Sequence, residues 1–369
     1  MKTKIVRDSN IELLRLVCMF YILLHHFIVH GLKSAGYNSG EEINMYSIFF
    51  NSLFVIAVNC FILISGYFGI NPSLKGFLRL FSMCVCYLLF FTIFSFIQAN
   101  SFNTREFLHS FLPISHAPAT YWFIKYYFYL YFSSFILNKV ISNSTKKDFI
   151  LILIILSAFT FYFGYLWGDA INGAAGYNLM NFIFLYFIGR YIALYTRRNT
   201  GRKQRIQYLT SYIANSLICV VIVYAIFHYT SLDNDFIRRW GFGYNSPFVI
   251  MSAISFFLLF RSFQLKSKVI NWLAQSALAI YLIHENQAIR THLYKYIGEI
   301  GESINQDWLL VLIFPALAIL IMLICIFIDK IRILLVTPVE NFLVGKIQQT
   351  SKYILSHLHN FMQKYKFLT

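Results

Sequence analysis

The sequence predicts an all-α integral membrane protein, a polytopic bundle of about ten transmembrane helices with both termini on the cytoplasmic side. Of its 369 residues, 58% are hydrophobic and only 12% are charged, whereas a soluble domain carries about 25% charged residues. The mean hydropathy is +0.61. Most of the chain is therefore expected to have lipid, rather than water, as its solvent.

Ten apolar runs are long enough to cross the hydrocarbon, which takes about 20 helical residues. They cover residues 10–30, 44–68, 76–98, 120–138, 148–166, 177–195, 208–229, 246–263, 270–290 and 307–330. Runs of this length predict helices, because lipid offers the backbone no hydrogen-bond partner. We expect one transmembrane domain, residues 1–338, followed by an amphipathic basic tail, residues 339–369, that lies on the anionic inner leaflet.

The basic residues give the orientation of these spans. In a soluble protein the formal net charge of +16 would suggest a nucleic-acid partner. When the loops are sorted by side, however, 23 of the 31 Lys and Arg residues fall on the side of the N-terminus. Cytoplasmic loops carry the excess of basic residues, so both termini are expected to be cytoplasmic. The six cysteines lie within apolar runs and form no C-x-x-C pair, so neither a disulfide framework nor a metal site is predicted.

The first span, SNIELLRLVCMFYILLHHFIVHG, carries the densest set of ionisable side chains. Arg15 and His26 are eleven residues apart, which on an α-helix places them within about 20° of one face and about 16 Å apart along the axis. Ionisable residues inside a membrane are costly and therefore indicate function. His26 and the adjacent His25 are candidate catalytic bases. Arg15 is a candidate functional cation, and its pairing with Glu12 is the alternative.

The predicted ninth span contains SALAIYLIHENQAIR, in which His284 and Glu285 follow an apolar stretch. This span runs outward, so His284 is expected at a depth close to that of His26. The two histidines and the carboxylate should meet there, either for catalysis or as hydrogen bonds that hold the bundle together. The fourth span places Trp122 and Lys125 at about the same depth, where they either contact a substrate or serve as an interface belt and a snorkelling lysine.

A second polar group is expected near the cytoplasmic ends of the spans. The segment NCFILISGYFG places Ser65 and Tyr67 at the depth of Arg15, and Arg79 and Arg190 lie at the ends of neighbouring spans. Guanidinium groups are well shaped to bind phosphate, so this group is a candidate anion site. The positive-inside rule alone is the alternative explanation for Arg79 and Arg190.

Four of these patterns resemble the integral-membrane acyltransferase-3 family, whose bacterial members O-acylate cell-surface and secreted polysaccharides. They are Arg15-x10-His26 in the first span, FILISGYF in the second, YWFIKYYFYLYFSSFILN in the fourth and SALAIYLIHEN in the ninth. The resemblance covers about residues 8–330. It implies that Arg15 and His26 are essential, that the donor is a cytoplasmic acyl-CoA, commonly acetyl-CoA, and that the acceptor is a glycan hydroxyl on the outer side.

Residue patterns and resemblance together predict a multi-pass O-acyltransferase of the bacterial cytoplasmic membrane that acylates a cell-surface or lipid-linked polysaccharide. The predicted catalytic residues are His26, Arg15, His25, His284 and Glu285; the predicted donor-binding residues are Arg15, Arg79, Arg190, Ser65 and Tyr67; the predicted acceptor-binding residues are Trp122 and Lys125. The expected partners are acyl-CoA, the glycan and membrane lipid, with no permanently bound cofactor, no metal ion and no nucleic acid. Direct transfer and an acyl-histidine intermediate are both open, and so is a succinyl or longer donor.

Two other functions fit parts of the pattern. A polysaccharide transporter or flippase would also be polytopic and lined by Arg and His, but it would move its substrate without an acyl donor. A glycan polymerase would use a lipid-linked sugar and typically a large outer loop, and the sequence predicts no such loop.

Overall fold

The computed structural model describes residues 8–33, 44–113, 121–168, 174–229, 239–304 and 306–364. Every regular element within these ranges is helical. The predicted transmembrane domain begins at residue 1 and the predicted tail ends at residue 369. Their outermost parts, residues 1–7 and 365–369, lie outside the described residues.

Fourteen α-helices are assigned within the described residues. They are α1 (Ser9–His26), α2 (Met45–Phe54), α3 (Ala57–Phe68), α4 (Leu74–Ala99), α5 (Thr104–His109), α6 (Trp122–Asn143), α7 (Lys146–Ser157), α8 (Leu179–Tyr195), α9 (Arg202–Tyr229), α10 (Pro247–Ser262), α11 (Lys268–Ala274), α12 (Ala277–His284), α13 (Gln287–Ser303) and α14 (Asp307–Lys364). Two of them change pitch at their ends, since α1 continues as the π-helical turn Phe27–Gly31 and α7 as the π-helix Ala158–Leu166.

Seven helical segments of the described chain are long and apolar enough to cross a membrane. They are Ser9–Gly31, Met45–Phe68, Leu74–Ala99, Lys146–Leu166, Arg202–Tyr229, Arg239–Ser262 and Trp308–Leu358. Each overlaps one of the ten predicted spans. The chain is therefore an all-helical, multi-pass membrane protein.

The other three predicted spans differ from a long apolar helix, each for its own reason. The fourth forms α6, in which four tyrosines and Lys125 lower the mean hydropathy. The sixth forms α8, which has only 17 residues. The ninth, 270–290, is not one helix, because the chain breaks into α11, α12 and α13. The second break has a clear local cause, since the Asn286 side chain accepts from the Ala288 N–H and so caps a new helix.

The chain forms two compact units, residues 1–70 with 118–326 and residues 71–117 with 327–369. The first contains α1–α3, α6–α13 and the beginning of α14; the second contains α4, α5 and the rest of α14. With 58 residues, α14 is about 87 Å long at 1.5 Å per residue, well beyond the roughly 30 Å of a hydrocarbon core. It continues without a break through the predicted boundary at 338/339, and the separate role of the tail stays a prediction.

A buried ionic network joins α4 to α14 in the second unit. Asp329, which is fully buried, accepts from the Tyr87 hydroxyl at 2.8 Å and from Arg332 Nε at 2.7 Å. Arg332 also pairs with Glu340 at 3.4 Å. A buried carboxylate needs such donors to offset its lost hydration. Sequence reasoning did not single out Asp329, although it is an acid within an apolar helix.

In the first unit, α1 is the central helix. It packs against α2, α3, α10, α11 and α12, and its π-helical turn packs against α13. The side chains of α1 are therefore surrounded by several other helices rather than by lipid. This position gives the ionisable residues of α1 the partners that a polar group in a membrane requires.

A close helix crossing in the first unit joins α3 to α8. A Cβ at Gly66 would overlap the Tyr186 carbonyl, and a Cβ at Gly189 would overlap the Leu63 carbonyl. Small residues at such crossings allow helix backbones to approach closely. The glycine of the FILISGYF motif therefore brings Tyr67, next along α3, towards Arg190, next along α8.

We expect Gly66→Leu to destabilise the protein by several kcal/mol, because overpacking a core costs about 1–3 kcal/mol and here the obstacle is backbone. The measurement is thermal unfolding in detergent, in which the melting temperature should fall. Gly345→Leu on α14 is the matched control, since a Cβ there would meet nothing within 4 Å. Equal melting temperatures of the two variants would contradict this packing.

Candidate active site

The first site lies where the end of α1 meets the junction of α12 and α13. We call it the His26 cluster and define it as His26, His284, Glu285, Arg290 and Tyr294. His26 Nδ1 lies 3.1 Å from Glu285 Oε1 and 3.3 Å from His284 Nε2. The sequence placed these three side chains at one depth, and the structure brings them together.

The hydrogen-bond partners assign the proton positions on both rings. His284 Nδ1 is 2.6 Å from the Ile280 carbonyl oxygen, an acceptor only, so Nδ1 carries the proton and Nε2 accepts. The His26 Nδ1–H then donates both to this nitrogen and to the Glu285 carboxylate. His26 Nε2 makes no hydrogen bond to any described residue. The imidazole is thus held by one nitrogen and keeps a lone pair on the other, which is the arrangement of a general base.

Glu285 accepts hydrogen bonds from His26 and Tyr294 and forms an ion pair with Arg290. Tyr294 donates its hydroxyl to Glu285 Oε1 at 2.5 Å, and Arg290 Nε lies 3.6 Å from Oε2. Tyr294 lies in α13, outside the candidate spans, and burial together with the adjacent carboxylate raises the pKa of its phenol. It therefore remains a protonated donor. The Arg290 charge favours the ionised form of Glu285, which in turn stabilises an imidazolium at His26.

Local backbone geometry brings α13 onto the end of α1. A Cβ at Gly31 would overlap the Ile297 side chain, and a Cβ at Gly298 would lie 2.9 Å from the Gly31 carbonyl oxygen. The π-helical turn begins directly after His26, and such turns are frequent at functional sites. On the opposite side of the junction, the Tyr121 hydroxyl donates to the Leu282 carbonyl and accepts from Asn286.

The two adjacent histidines of α1 have different surroundings. The His25 ring is buried and bonds through Nδ1 to Asn51 Oδ1 at 2.5 Å, on α2. His26 bonds to Glu285 and its side chain keeps 14% of its surface exposed. His25 was predicted as an alternative catalytic imidazole; the geometry gives it a partner in the helix packing and gives His26 the carboxylate.

The second site lies at the other end of α1, around the last turn of α3. We call it the arginine cluster and define it as Arg15, Arg190 and Arg261. Arg190 donates to the Tyr67 carbonyl at 3.3 Å, the Arg261 guanidinium lies 5.4 Å from the Tyr67 ring, and that of Arg15 lies 6.0 Å from the Phe68 ring. Three helices, α1, α8 and α10, thus place a cation beside two consecutive residues.

The arginine cluster is poorly neutralised within the described chain. Arg15 has Glu12 at 3.8 Å, which is the pairing foreseen as an alternative. Arg261 is buried, donates to Thr196 at 2.7 and 2.8 Å and leaves its Nε without a partner. Among the described residues, neither Arg190 nor Arg261 has a carboxylate within 4 Å. Together the three guanidinium groups form a local positive potential suited to an anion.

Four further predicted site residues make other contacts. Ser65 donates to the Phe61 carbonyl on its own helix, and Arg79, in the second unit, donates to Asn341. Trp122 stacks on Tyr244 with a centroid distance of 5.5 Å, and Lys125 lies 5.6 Å from the ring of its neighbour Tyr126. The roles predicted for these four side chains stay predictions.

Sequence reasoning missed several members of the two sites. Arg290 and Arg261 were used only to assign the orientation of the spans, and Tyr294 and Asn51 were not considered as site residues. His30, four residues after His26 and therefore on the same helix face, was an available signal. Its ring lies 5.2 Å from that of His26 and contacts Arg290.

The His26 cluster also contains a set of potential metal ligands. Donor atoms of His26, His284 and Glu285 lie within 4.8 Å of one another, a spacing that a zinc site could use. Here, however, Glu285 Oε1 already accepts from Tyr294, and Oε2 faces the cationic Arg290. A divalent ion at this position would be repelled by that charge. The contacts therefore favour hydrogen bonds between the three side chains over a bound metal ion.

Treatment with a chelator followed by its removal is therefore expected to leave the rate of the purified protein unchanged. The measurement is the initial rate of the reaction that the family resemblance implies, before and after treatment with EDTA, with metal content followed by mass spectrometry. A loss of rate that added Zn²⁺ restores would contradict the proton assignment.

The fold and the two sites define a polytopic membrane protein with an enzyme-like His–carboxylate pair between its helices. A family model described as an acyltransferase domain matches residues 8–330. The chain belongs to this family, acyltransferase-3, and is a membrane acyltransferase. Comparison with curated proteins and with solved structures finds no match.

Proposed function

We propose that this protein is an O-acyltransferase of the bacterial cytoplasmic membrane, which transfers an acetyl group from cytoplasmic acetyl-CoA to a hydroxyl of a cell-surface or lipid-linked polysaccharide. The observation that carries this proposal is the contact between His26 and Glu285 in a chain of the acyltransferase-3 family. Both termini would be cytoplasmic, as the distribution of basic residues predicts.

In this mechanism His26 is the general base. Its Nε2 takes the proton of the sugar hydroxyl while the hydroxyl oxygen attacks the thioester carbonyl. The resulting imidazolium is stabilised by Glu285, which accepts from Nδ1–H. When the tetrahedral intermediate collapses, the C–S bond breaks and the imidazolium returns the proton to the leaving thiolate. The products are the O-acetyl ester and free CoA, and His26 is again neutral.

The arginine cluster would hold the donor. Arg15 and His26 are eleven residues apart on α1, so the two sites are separated by about 16 Å along the helix axis. A donor whose phosphate groups lie against Arg15, Arg190 and Arg261 would extend its pantetheine arm along this axis towards His26. The unneutralised guanidinium groups support this assignment, because a diphosphate supplies the anionic oxygens that they lack.

Arg190→Ala is expected to raise the KM for acetyl-CoA by about tenfold to a hundredfold, since a hydrogen bond to a charged group contributes about 1.5–3 kcal/mol. Arg190→Lys should recover only part of this loss, because an ammonium lacks the planar fork. The measurement is a saturation curve for acetyl-CoA at fixed acceptor concentration. Arg202→Ala, at the exposed start of α9, is the control; an equal rise in KM for this variant would contradict a specific donor site.

The test of the proposed function uses the full chain in proteoliposomes with acetyl-CoA and oligosaccharide prepared from the surface glycan of the source cell. Mass spectrometry should find oligosaccharide heavier by one acetyl group, formed only when acetyl-CoA and protein are both present. Movement of glycan across the vesicle without any acetylated product would support a transporter instead and would overturn the proposal.

A further inference from the structure

Two cavities adjoin at the end of α1 that carries His26. The larger, which we call the polar pocket, has a volume of about 840 Å³ and is lined mainly by α13 and the end of α1. Its walls include Asn44, Gln287, Thr291 and Glu302. A cavity of this size accommodates a small ligand. Amide, hydroxyl and carboxylate groups are the partners that sugar hydroxyls require.

The polar pocket reaches the His26 cluster. His30, Arg290 and Tyr294 line it, and each of them contacts a member of the cluster. The His30 ring lies 5.2 Å from the His26 ring, Tyr294 donates a hydrogen bond to Glu285, and Arg290 forms an ion pair with Glu285. A sugar in this pocket would lie next to the proposed catalytic base.

The second cavity, which we call the apolar groove, has a volume of about 260 Å³. Phe20 and Leu24 of α1, Ile28 of its π-helical turn and Leu32 directly after that turn line it at intervals of four residues, opposite α2 and the beginning of α14. From Phe20 to Ile28 the groove follows this helical path for about 12 Å at roughly 1.5 Å per residue. Aromatic and aliphatic side chains of α2 and α14, such as Phe50 and Phe314, complete its walls.

The two cavities adjoin. Leu32, Asn44, Ser47 and Leu310 line both of them. A single molecule with a polar head and a hydrocarbon tail would occupy the pair, with its head beside His26 and its tail along α1. Lys33, which follows the shared Leu32, and Arg290 line the polar pocket, and their positive charge suits an anionic linkage between head and tail.

We propose that the acceptor is a glycan attached through phosphate to a long hydrocarbon chain, and that the apolar groove binds this chain while the polar pocket binds the sugar. This inference rests on the proposed function and narrows its acceptor from any surface polysaccharide to a lipid-linked one. Binding of the hydrocarbon tail holds the reacting hydroxyl near His26, so part of the binding energy of the lipid serves to orient the sugar.

Val311→Trp tests the inference, because Val311 lines the groove and a larger side chain would obstruct it. The matched control is Leu312→Trp, whose residue is the next on α14, is 62% exposed and lines neither cavity. Two acceptors are compared in proteoliposomes: an oligosaccharide phosphate joined to a farnesyl chain, and the same oligosaccharide phosphate without the chain.

For the wild-type protein we expect a lower KM for the farnesylated acceptor. Val311→Trp should raise that KM by about tenfold, which corresponds to excluding about two methylene groups from the groove. It should leave the KM for the chain-free acceptor unchanged, and Leu312→Trp should leave both unchanged. Equal use of the two acceptors by the wild type, or the same effect of Val311→Trp on both, would overturn the inference.

A binding measurement separates this inference from the proposed function. Native mass spectrometry of the purified full chain with the farnesylated acceptor, without acetyl-CoA, should show a complex that Val311→Trp weakens and Leu312→Trp preserves. If this complex forms but no acetyl transfer follows with acetyl-CoA, the proposed function fails and the lipid site stands. If transfer occurs but no chain-dependent complex forms, the lipid site fails and the proposed function stands.

Discussion

His26→Ala should lower the rate constant for acetyl transfer by about 10²–10⁴-fold, the usual contribution of a positioned general base. The lone pair on Nε2 is the group that would accept the proton of the sugar hydroxyl, and no other described imidazole pairs with a carboxylate. KM for acetyl-CoA should change little, because the arginine cluster lies about 16 Å away along α1. The measurement is kcat at saturating donor and acceptor.

His228→Ala is the matched control, because His228 is exposed on α9 and contacts only neighbouring rings of its own helix. It should retain wild-type kcat. His25→Ala provides a second comparison, since loss of the bond to Asn51 should lower stability more than kcat of the protein that remains folded. Wild-type kcat for His26→Ala would contradict the mechanism.

Glu285→Gln should lower kcat by up to about 10⁴-fold, the loss seen when the carboxylate that orients a catalytic histidine becomes an amide. A neutral amide cannot stabilise the imidazolium, and its nitrogen would present a donor where His26 Nδ1–H and Tyr294 donate and where the Arg290 cation lies 3.6 Å away. The measurement is again kcat at saturation of both substrates, together with the melting temperature, which reports the packing of α12 and α13.

Glu106→Gln on α5 is the matched control, because Glu106 is exposed and lines neither the polar pocket nor the apolar groove. It also lies outside the His26 cluster and the arginine cluster. Its kcat should stay within about twofold of wild type. A Glu285→Gln protein with normal kcat would mean that the carboxylate only holds the helices together.

Helical periodicity and depth were sufficient to predict that His26, His284 and Glu285 lie together. The spacing of Arg15 and His26 predicts that they share one helix face. The position of His284 within its apolar run predicts its depth in the membrane. Both arguments depend only on helix geometry, which is nearly constant. Helix geometry does not predict which side chains of helices distant in sequence contact one another, so Tyr294 and Arg290 were not included in the predicted site.

The break between α12 and α13 shows why this part could not be predicted. Counting apolar residues places 270–290 in one span, but Asn286 ends the run by capping the next helix. That change of direction brings α13 back onto α1 and carries Arg290 and Tyr294 to Glu285. The close approach at Gly31 and Gly298 is likewise a property of packing, since a glycine in a sequence does not identify its neighbour.

The arginine cluster illustrates a second limit. Topology rules account for basic residues near cytoplasmic helix ends without reference to a ligand, so Arg261 was indistinguishable from its neighbours. Burial distinguishes it, because a guanidinium with an unpartnered Nε beside Tyr67 is costly unless an anion offsets the charge. Structure, rather than composition, therefore identifies this residue as a member of the candidate donor site.

A double-mutant cycle on His26 and Glu285 tests the central claim most directly, namely that the two side chains act as one unit in acyl transfer. The rates of wild type, His26→Ala, Glu285→Gln and the double variant are compared with acetyl-CoA and glycan at saturation. Residues that act as a unit are strongly non-additive. If the two side chains act as one unit, the double variant is no slower than His26→Ala alone; a double variant whose loss equals the product of the two single losses would contradict this.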